Sequence, residues 1–193
     1  VLVVPYAVDS LYAIKKVEFE VKKYTMAQLN KAVQNNWKDH EIMRQIMLNQ
    51  EKFGNDRDGV DEMYVRVAEN IHDTLEEQRN IKGFNFRASL FQYMGHTYAG
   101  PILGATPDGR FAEEPIAHGC NPMHGRNHEG ITATAKSLLK VPFREYQGGS
   151  LQIELQPKFF DGKENKGAYI ENFSKAYMKK GGIQINFNVI DLK

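Results

Sequence analysis

The chain reads as an α/β protein whose strands belong to a larger sheet. Three observations predict this: apolar residues recur at helical spacing through the first half, Ser150 to Leu155 alternates apolar and polar residues, and Ile183 to Ile190 forms a second strand-like run behind the glycine pair Gly181-Gly182. Helices that alternate with isolated strands fit the α/β class, and so few strands cannot close a barrel alone.

Each element has its own signal. Leu11, Ile14, Val17, Phe19 and Val21 space as a helix, with Asp9 or Ser10 available to cap it. Thr25-Met-Ala-Gln28 is a capping-box pattern that opens a second helix through Leu29 and Val33 toward Trp37. His40 to Leu48 carries Ile42, Ile46 and Met47 as a third. Gly54-Asn-Asp56 breaks the chain, and Asp58 is placed to cap a longer helix from about Val60 to Glu77, with Met63, Val67 and Ile71 on one side. Phe84 to Tyr98 reads as extended and aromatic. A short helix follows near Thr132 to Leu139, Asp161 to Gly167 reads as a surface turn, and Ala168 to Lys179 is helical.

The densest information lies in Gly104-Ala-Thr-Pro-Asp-Gly-Arg110, Glu114-Pro115 and Asn121-Pro-Met-His-Gly-Arg126. Glycine opens backbone angles that a Cβ forbids, proline fixes φ, and Asp and Asn close local turns, so this segment is predicted to be an ordered loop. Together with Gly130-Ile-Thr-Ala133 and Gly181-Gly-Ile-Gln-Ile-Asn-Phe-Asn-Val189, these motifs resemble the glycyl radical enzymes of the pyruvate formate-lyase-like superfamily. The resemblance runs in order along essentially the whole chain, residues 1–193, and implies the C-terminal portion of a ten-stranded α/β barrel. Family members carry a catalytic cysteine, commonly in Gly-Cys-x-Glu, and a radical glycine in Arg-Val-x-Gly-Tyr/Phe. Neither motif occurs here: Cys120 sits in Gly119-Cys-Asn-Pro122.

The resemblance therefore implies a fragment of a radical lyase acting on a small organic substrate by C–C cleavage, dehydration or decarboxylation, or of a formate acetyltransferase. The fragment is expected to be inactive alone, with no catalytic residue and no cofactor of its own. The implied parent is a homodimer of anaerobic metabolism. Its glycyl radical is installed by an S-adenosylmethionine-dependent activase, and its partners are the remaining barrel, the radical-glycine segment and the substrate. The opening at Val1 without methionine and the stop just past a strand read as cut ends. A non-catalytic binding or assembly module derived from the same fold is the alternative. A third class, a metal hydrolase built on the histidines near Cys120, would require stoichiometric metal.

Composition narrows the partners. The formal net charge of +1 supplies no electrostatic footprint for nucleic acid, and no apolar run reaches the roughly 20 residues that span a bilayer. Val1 to Pro5 is too short for a signal-peptide core. One cysteine permits no intrachain disulfide, in keeping with a cytoplasmic setting, and supplies no cluster ligands of the kind an activase needs.

Four side chains, His118, Cys120, His124 and His128, have metal-ligand chemistry, yet their spacing matches no standard zinc pattern, so no metal is expected. Cys120 is read as a small buried side chain rather than a nucleophile. Arg110 and Arg126 are read as pins for loop carbonyls rather than anion clamps. Gly148-Gly149 and Gly181-Gly182 are read as points of close approach. Met94, His96 and Tyr98 alternate along the extended reading, which would turn all three to one side as substrate-binding residues. The competing reading is that they fill the core.

Overall fold

A computed structural model describes residues 4–92, 94–162 and 165–190. Seven α-helices and two strands are formed among them. They are α1 (Val4–Ile14), α2 (Met26–Gln34), α3 (Glu41–Leu48), α4 (Asp58–Glu76), α5 (Gly95–Ala99), β1 (Leu151–Leu155), α6 (Gly130–Leu139) ahead of it, α7 (Lys166–Lys179) and β2 (Ile185–Val189). Val1 to Val3, and Lys163 and Glu164 of the expected surface turn, lie outside the described residues.

The strands pair in parallel, with Leu151 opposite Ile185, Ile153 opposite Phe187 and Leu155 opposite Val189. A parallel pair needs a crossover, and α7 supplies it. Leu151, Ile153 and Leu155 point into the core, while Gln152 and Glu154 occupy the opposite face. The apolar face packs in a core that draws Val4, Val8 and Tyr12 from α1, Val60, Tyr64 and Ala68 from α4, and Ala135 and Leu138 from α6. A second core joins Val17, Leu29, Ala32, Trp37, Met43 and Met47.

The helical expectations hold with local corrections. The Thr25 box forms as written: its hydroxyl accepts from the Gln28 amide, and the Gln28 side chain accepts from the Thr25 amide. That helix ends at Gln34, and Trp37 sits beyond it in a turn at φ 62°, its indole donating to the Arg110 carbonyl at 3.1 Å. Asp58 does not cap α4. Arg57 holds the cap position, and Asp58 instead takes an ion pair from Lys140 at 2.9 Å.

Neither Asp9 nor Ser10 caps the first helix. The chain is already helical at Val4, seven residues before Leu11, and both residues are buried inside the helix. The helix also runs on through a π-helical stretch, Lys15–Glu20. That wider turn rotates later side chains around the axis, so Phe19 and Val21 leave the apolar stripe and stand 65% and 67% exposed.

The second correction concerns Phe84 to Tyr98. Its middle is extended, with the Leu90 amide bonded to the Gly148 carbonyl and the Gln147 amide to the Ala88 carbonyl. Its end is helical, because Gly95 to Ala99 closes the short helix α5. Gly148, Gly149 and Gly182 mark close approach as expected, whereas Gly181, at φ 106°, has open space where a Cβ would stand. A Cβ on Gly149 would stand 2.5 Å from the Phe143 ring, and one on Gly182 2.2 Å from Tyr177.

Candidate functional site

The polar face of the strand pair forms one wall of a cavity of about 320 Å³. Gln152 and Glu154 of β1 and Asn186 and Asn188 of β2 supply that wall. Because the parallel register sets Gln152 opposite Asn186, the two carboxamides meet: Asn186 Nδ2 donates to Gln152 Oε1 at 2.8 Å, and Gln152 Nε2 donates onward to Ser150 Oγ at 2.7 Å. His96 from α5 and His118 and His124 from the following loop line the cavity, with Ile131 and Thr134 of α6 closing it.

The loop reaches this position through buried hydrogen bonds. Asn121 Oδ1 accepts from the Gln152 amide at 2.7 Å, and its Nδ2 donates to the carbonyls of Ser150 and His118, each at 2.7 Å. On the far side, Asn55 donates to the Arg126 carbonyl at 2.8 Å and accepts from the amides of His128 and Glu129. Gly54 presses against the loop too. Its φ of 95° excludes most side chains, and a Cβ there would overlap Pro122 at 2.1 Å.

The three imidazoles converge. The His96 ring centroid lies 4.9 Å from that of His118, edge-on, and 6.3 Å from that of His124. Burial, then the neighbouring His118 and His124, pushes the His96 pKa below the usual imidazole value, which favours the neutral ring. His96 Nδ1 is buried without a hydrogen-bond partner in the structure.

The residues put forward from sequence separate here. In a helix, positions four apart share a face and the residue midway turns away. Met94, the cap residue just ahead of α5, and Tyr98 within it project to solvent, 57% and 69% exposed, while His96 alone of the three lines the cavity. The common side expected for an extended segment is corrected by α5. Sequence reasoning missed Asn186, Asn188, Gln152 and Glu154 as a polar wall, although the alternation along both strands carried the signal.

Of His118, Cys120, His124 and His128, only His118 and His124 share the cavity. The Cys120 thiol is fully buried against the Ser150 carbonyl at 3.5 Å, and burial raises its pKa to about 12. His128 lines a different hollow, with Lys52 and Arg126. Among the described residues no group of three or more His, Cys, Asp or Glu side chains is arranged to hold a metal ion. Arg110 is wholly buried and donates to the carbonyls of Gly104 and Glu114, while Arg126 donates to the Asp108 carbonyl at 3.4 Å. Both arginines thus pin loop carbonyls.

Comparison with known proteins places this geometry. Residues 4–100 match the family described as pyruvate formate lyase-like, and residues 116–193 match the glycine radical family. The chain belongs to the glycyl radical enzymes. Among curated relatives, trans-4-hydroxy-L-proline dehydratase of Clostridioides difficile is 31% identical over 95% of this chain, and isethionate sulfite-lyase of Bilophila wadsworthia 30% identical over 95%. The solved structure of the B12-independent glycerol dehydratase from Clostridium butyricum, in its glycerol-bound form, superposes with a TM-score of 0.91 at 32% identity over 97% of this chain. The chain spans about a quarter of these proteins, 23%, 22% and 24% of their lengths respectively. It is thus a partial α/β barrel of the glycyl radical type. No described helix is long and apolar enough to cross a membrane.

Proposed function

We propose that this chain is the C-terminal barrel portion of a glycyl radical lyase that acts on a small organic substrate, and that it does not turn over alone. Residues 1–193 are taken as one portion of the pyruvate formate-lyase-like domain. The observation that supports the reading is the cavity between the polar face of β1 and β2 and the loop bearing His118 and His124. A parallel strand pair with its apolar face packed on helices leaves its polar face for a barrel interior, where radical chemistry is kept from water and oxygen. The homologues are lyases of three kinds, a dehydratase, a decarboxylase and a sulfite-lyase.

His96 is proposed to contact substrate from the cavity wall. Met94, at the cap of α5, and Tyr98, on its exposed face, are retained as substrate-side candidates. The radical glycine is proposed to lie in another segment of the parent. An S-adenosylmethionine-dependent activase would install the radical, in a homodimer working anaerobically in the cytoplasm.

The test is anaerobic reconstitution. The chain alone with a matching activase is expected to give no glycyl radical resonance. The chain combined with the rest of its parent is expected to give the resonance and turnover, and His96→Ala in that assembly to lower kcat/KM while radical content is kept. A radical mapped by isotope labelling to a glycine of the isolated chain would sink the proposal.

A further inference from the structure

We infer that the hollow lined by Lys52, Arg57, Arg126 and His128 is a binding site for a small tetrahedral oxoanion, a phosphate group carried as the free ion or as a monoester. It lies apart from the cavity on β1 and β2. The loop after Asn121 divides its residues between the two spaces, with His124, Gly125 and Asn127 on the cavity and Arg126, His128 and Glu129 on the hollow. The hollow measures about 260 Å³, below the roughly 300–1,000 Å³ of pockets for drug-sized ligands, which suits a small ion or group.

The first support is a set of unused donors on two unpaired cations. Lys52 is 5% exposed, and its Nζ donates to the carbonyls of Met47 and Gln50, each at 2.8 Å, which leaves one ammonium proton over. Arg126 pins the Asp108 carbonyl through one N–H at 3.4 Å, and the rest of its fork has no protein acceptor among the described residues. Neither cation has an ion-pair partner among the described residues, whereas Arg57 is paired with Glu129 at 2.9 Å and Glu51 accepts from the Tyr12 hydroxyl at 2.7 Å. Burial pushes the Lys52 pKa down to about 8, with Asp9 and Asp108 on the core side opposing the fall and Arg126 adding to it. An oxoanion between ammonium and guanidinium would relieve their repulsion and offset part of the lost hydration. The guanidinium fork grips two oxygens and the ammonium a third, so a tetrahedral ion matches the pair better than a carboxylate with its two.

The second support is that the two cations are already tied together. Asn55 Nδ2 donates to the Lys52 carbonyl at 3.0 Å and to the Arg126 carbonyl at 2.8 Å, while its Oδ1 accepts from the amides of His128 and Glu129. One buried carboxamide thus fixes both segments, and little further ordering is needed when an anion binds.

The experiment titrates the isotopically labelled 193-residue chain with inorganic phosphate, methyl phosphate and acetate, at constant ionic strength and near neutral pH. The readout is the backbone amide resonances of His128 and Glu129 and the side-chain amide of Asn55. Phosphate is expected to shift them saturably with a dissociation constant at or below about 1 mM, and acetate to bind at least about tenfold more weakly. Arg126→Gln is expected to weaken phosphate at least about tenfold, the worth of one charge-assisted hydrogen bond, with the far-UV circular dichroism unchanged. Arg57→Gln removes a cation that already has its partner and is expected to weaken phosphate by no more than about twofold. Methyl phosphate binding as tightly as phosphate assigns the hollow to a monoester, and weaker binding assigns it to the free ion; either supports the inference. No saturable response, acetate matching phosphate, an undiminished affinity in Arg126→Gln, or an equal loss in Arg57→Gln would each overturn it.

Discussion

Asn121 holds Gln152: a single buried carboxamide accepts the Gln152 amide proton at 2.7 Å and returns a proton to the neighbouring Ser150 carbonyl at 2.7 Å. The loop that carries His118 and His124 is thereby fastened to the first strand of the cavity wall. Replacing Asn121 by alanine strands the Gln152 amide and leaves the Ser150 carbonyl only the weak Cys120 thiol as donor, and a buried unsatisfied group costs about 1–3 kcal/mol. Asn121→Ala is expected to lower unfolding free energy by about 2–4 kcal/mol, allowing for partial rescue by water. Urea unfolding measures it, and a loss under half a kcal/mol would show that the clamp is idle.

Stability should fall as pH rises toward neutrality because of Asp9. Burial lifts its pKa to about 7, opposed by the Phe53 amide at 2.9 Å and by Lys52, and reinforced by Asp108. A carboxyl whose folded pKa exceeds its unfolded value stabilises the fold most when protonated. Its contribution is complete below the unfolded value and is lost as pH climbs through about 7. Asp9→Asn keeps an acceptor for Phe53 and removes the titration. The pH dependence of the urea midpoint between pH 4 and 7 is expected to flatten in this variant; an unchanged slope would assign the dependence to other groups.

The legible parts of the molecule are those whose partners are near in sequence. The Thr25 capping box closes over three residues, and Arg110 reaches carbonyls four and six residues away, so both could be read directly. The Asn121 clamp joins residues 31 apart, and no local pattern announces it. His96 was found for a reason the structure replaces. Alternation argued for one shared side, whereas α5 turns His96 toward His118 and sends Met94 and Tyr98 outward. The exposure of Phe19 and Val21 was hidden because the π-helical stretch changes the period on which the helical reading depends.

Cys120 is expected to be dispensable for turnover of a reconstituted parent. Its thiol is fully buried, bonded to the Ser150 carbonyl, and held protonated by a pKa near 12. A serine can make the same bond. Cys120→Ser should retain activity, and alkylation of the folded chain at pH 8 should proceed no faster than unfolding exposes the thiol. Loss of essentially all turnover with radical content intact would contradict this.

The isolated chain is expected to self-associate. Ile81, Phe84 and Phe86 stand exposed near one another in sequence, as do Ile102 and Leu103, and the described sheet contains only two strands, so each strand has an unpaired edge. Sedimentation velocity over a concentration series, with a hydrophobic dye as reporter, tests it. A compact monomer that binds no dye and unfolds cooperatively would refute the expectation.

The parallel register also governs where the gene can gain or lose a codon. Side chains alternate strictly between faces, so deleting one residue within Leu151–Ile153 would turn Glu154 toward the helices and Leu155 toward the cavity side, inverting that end of the wall in one step. The turn at Asp161 and Gly162, exposed and upstream of α7, carries no such phase. Length variation in descendants of this sequence should therefore collect between the strands, with the strands themselves evolving by substitution only.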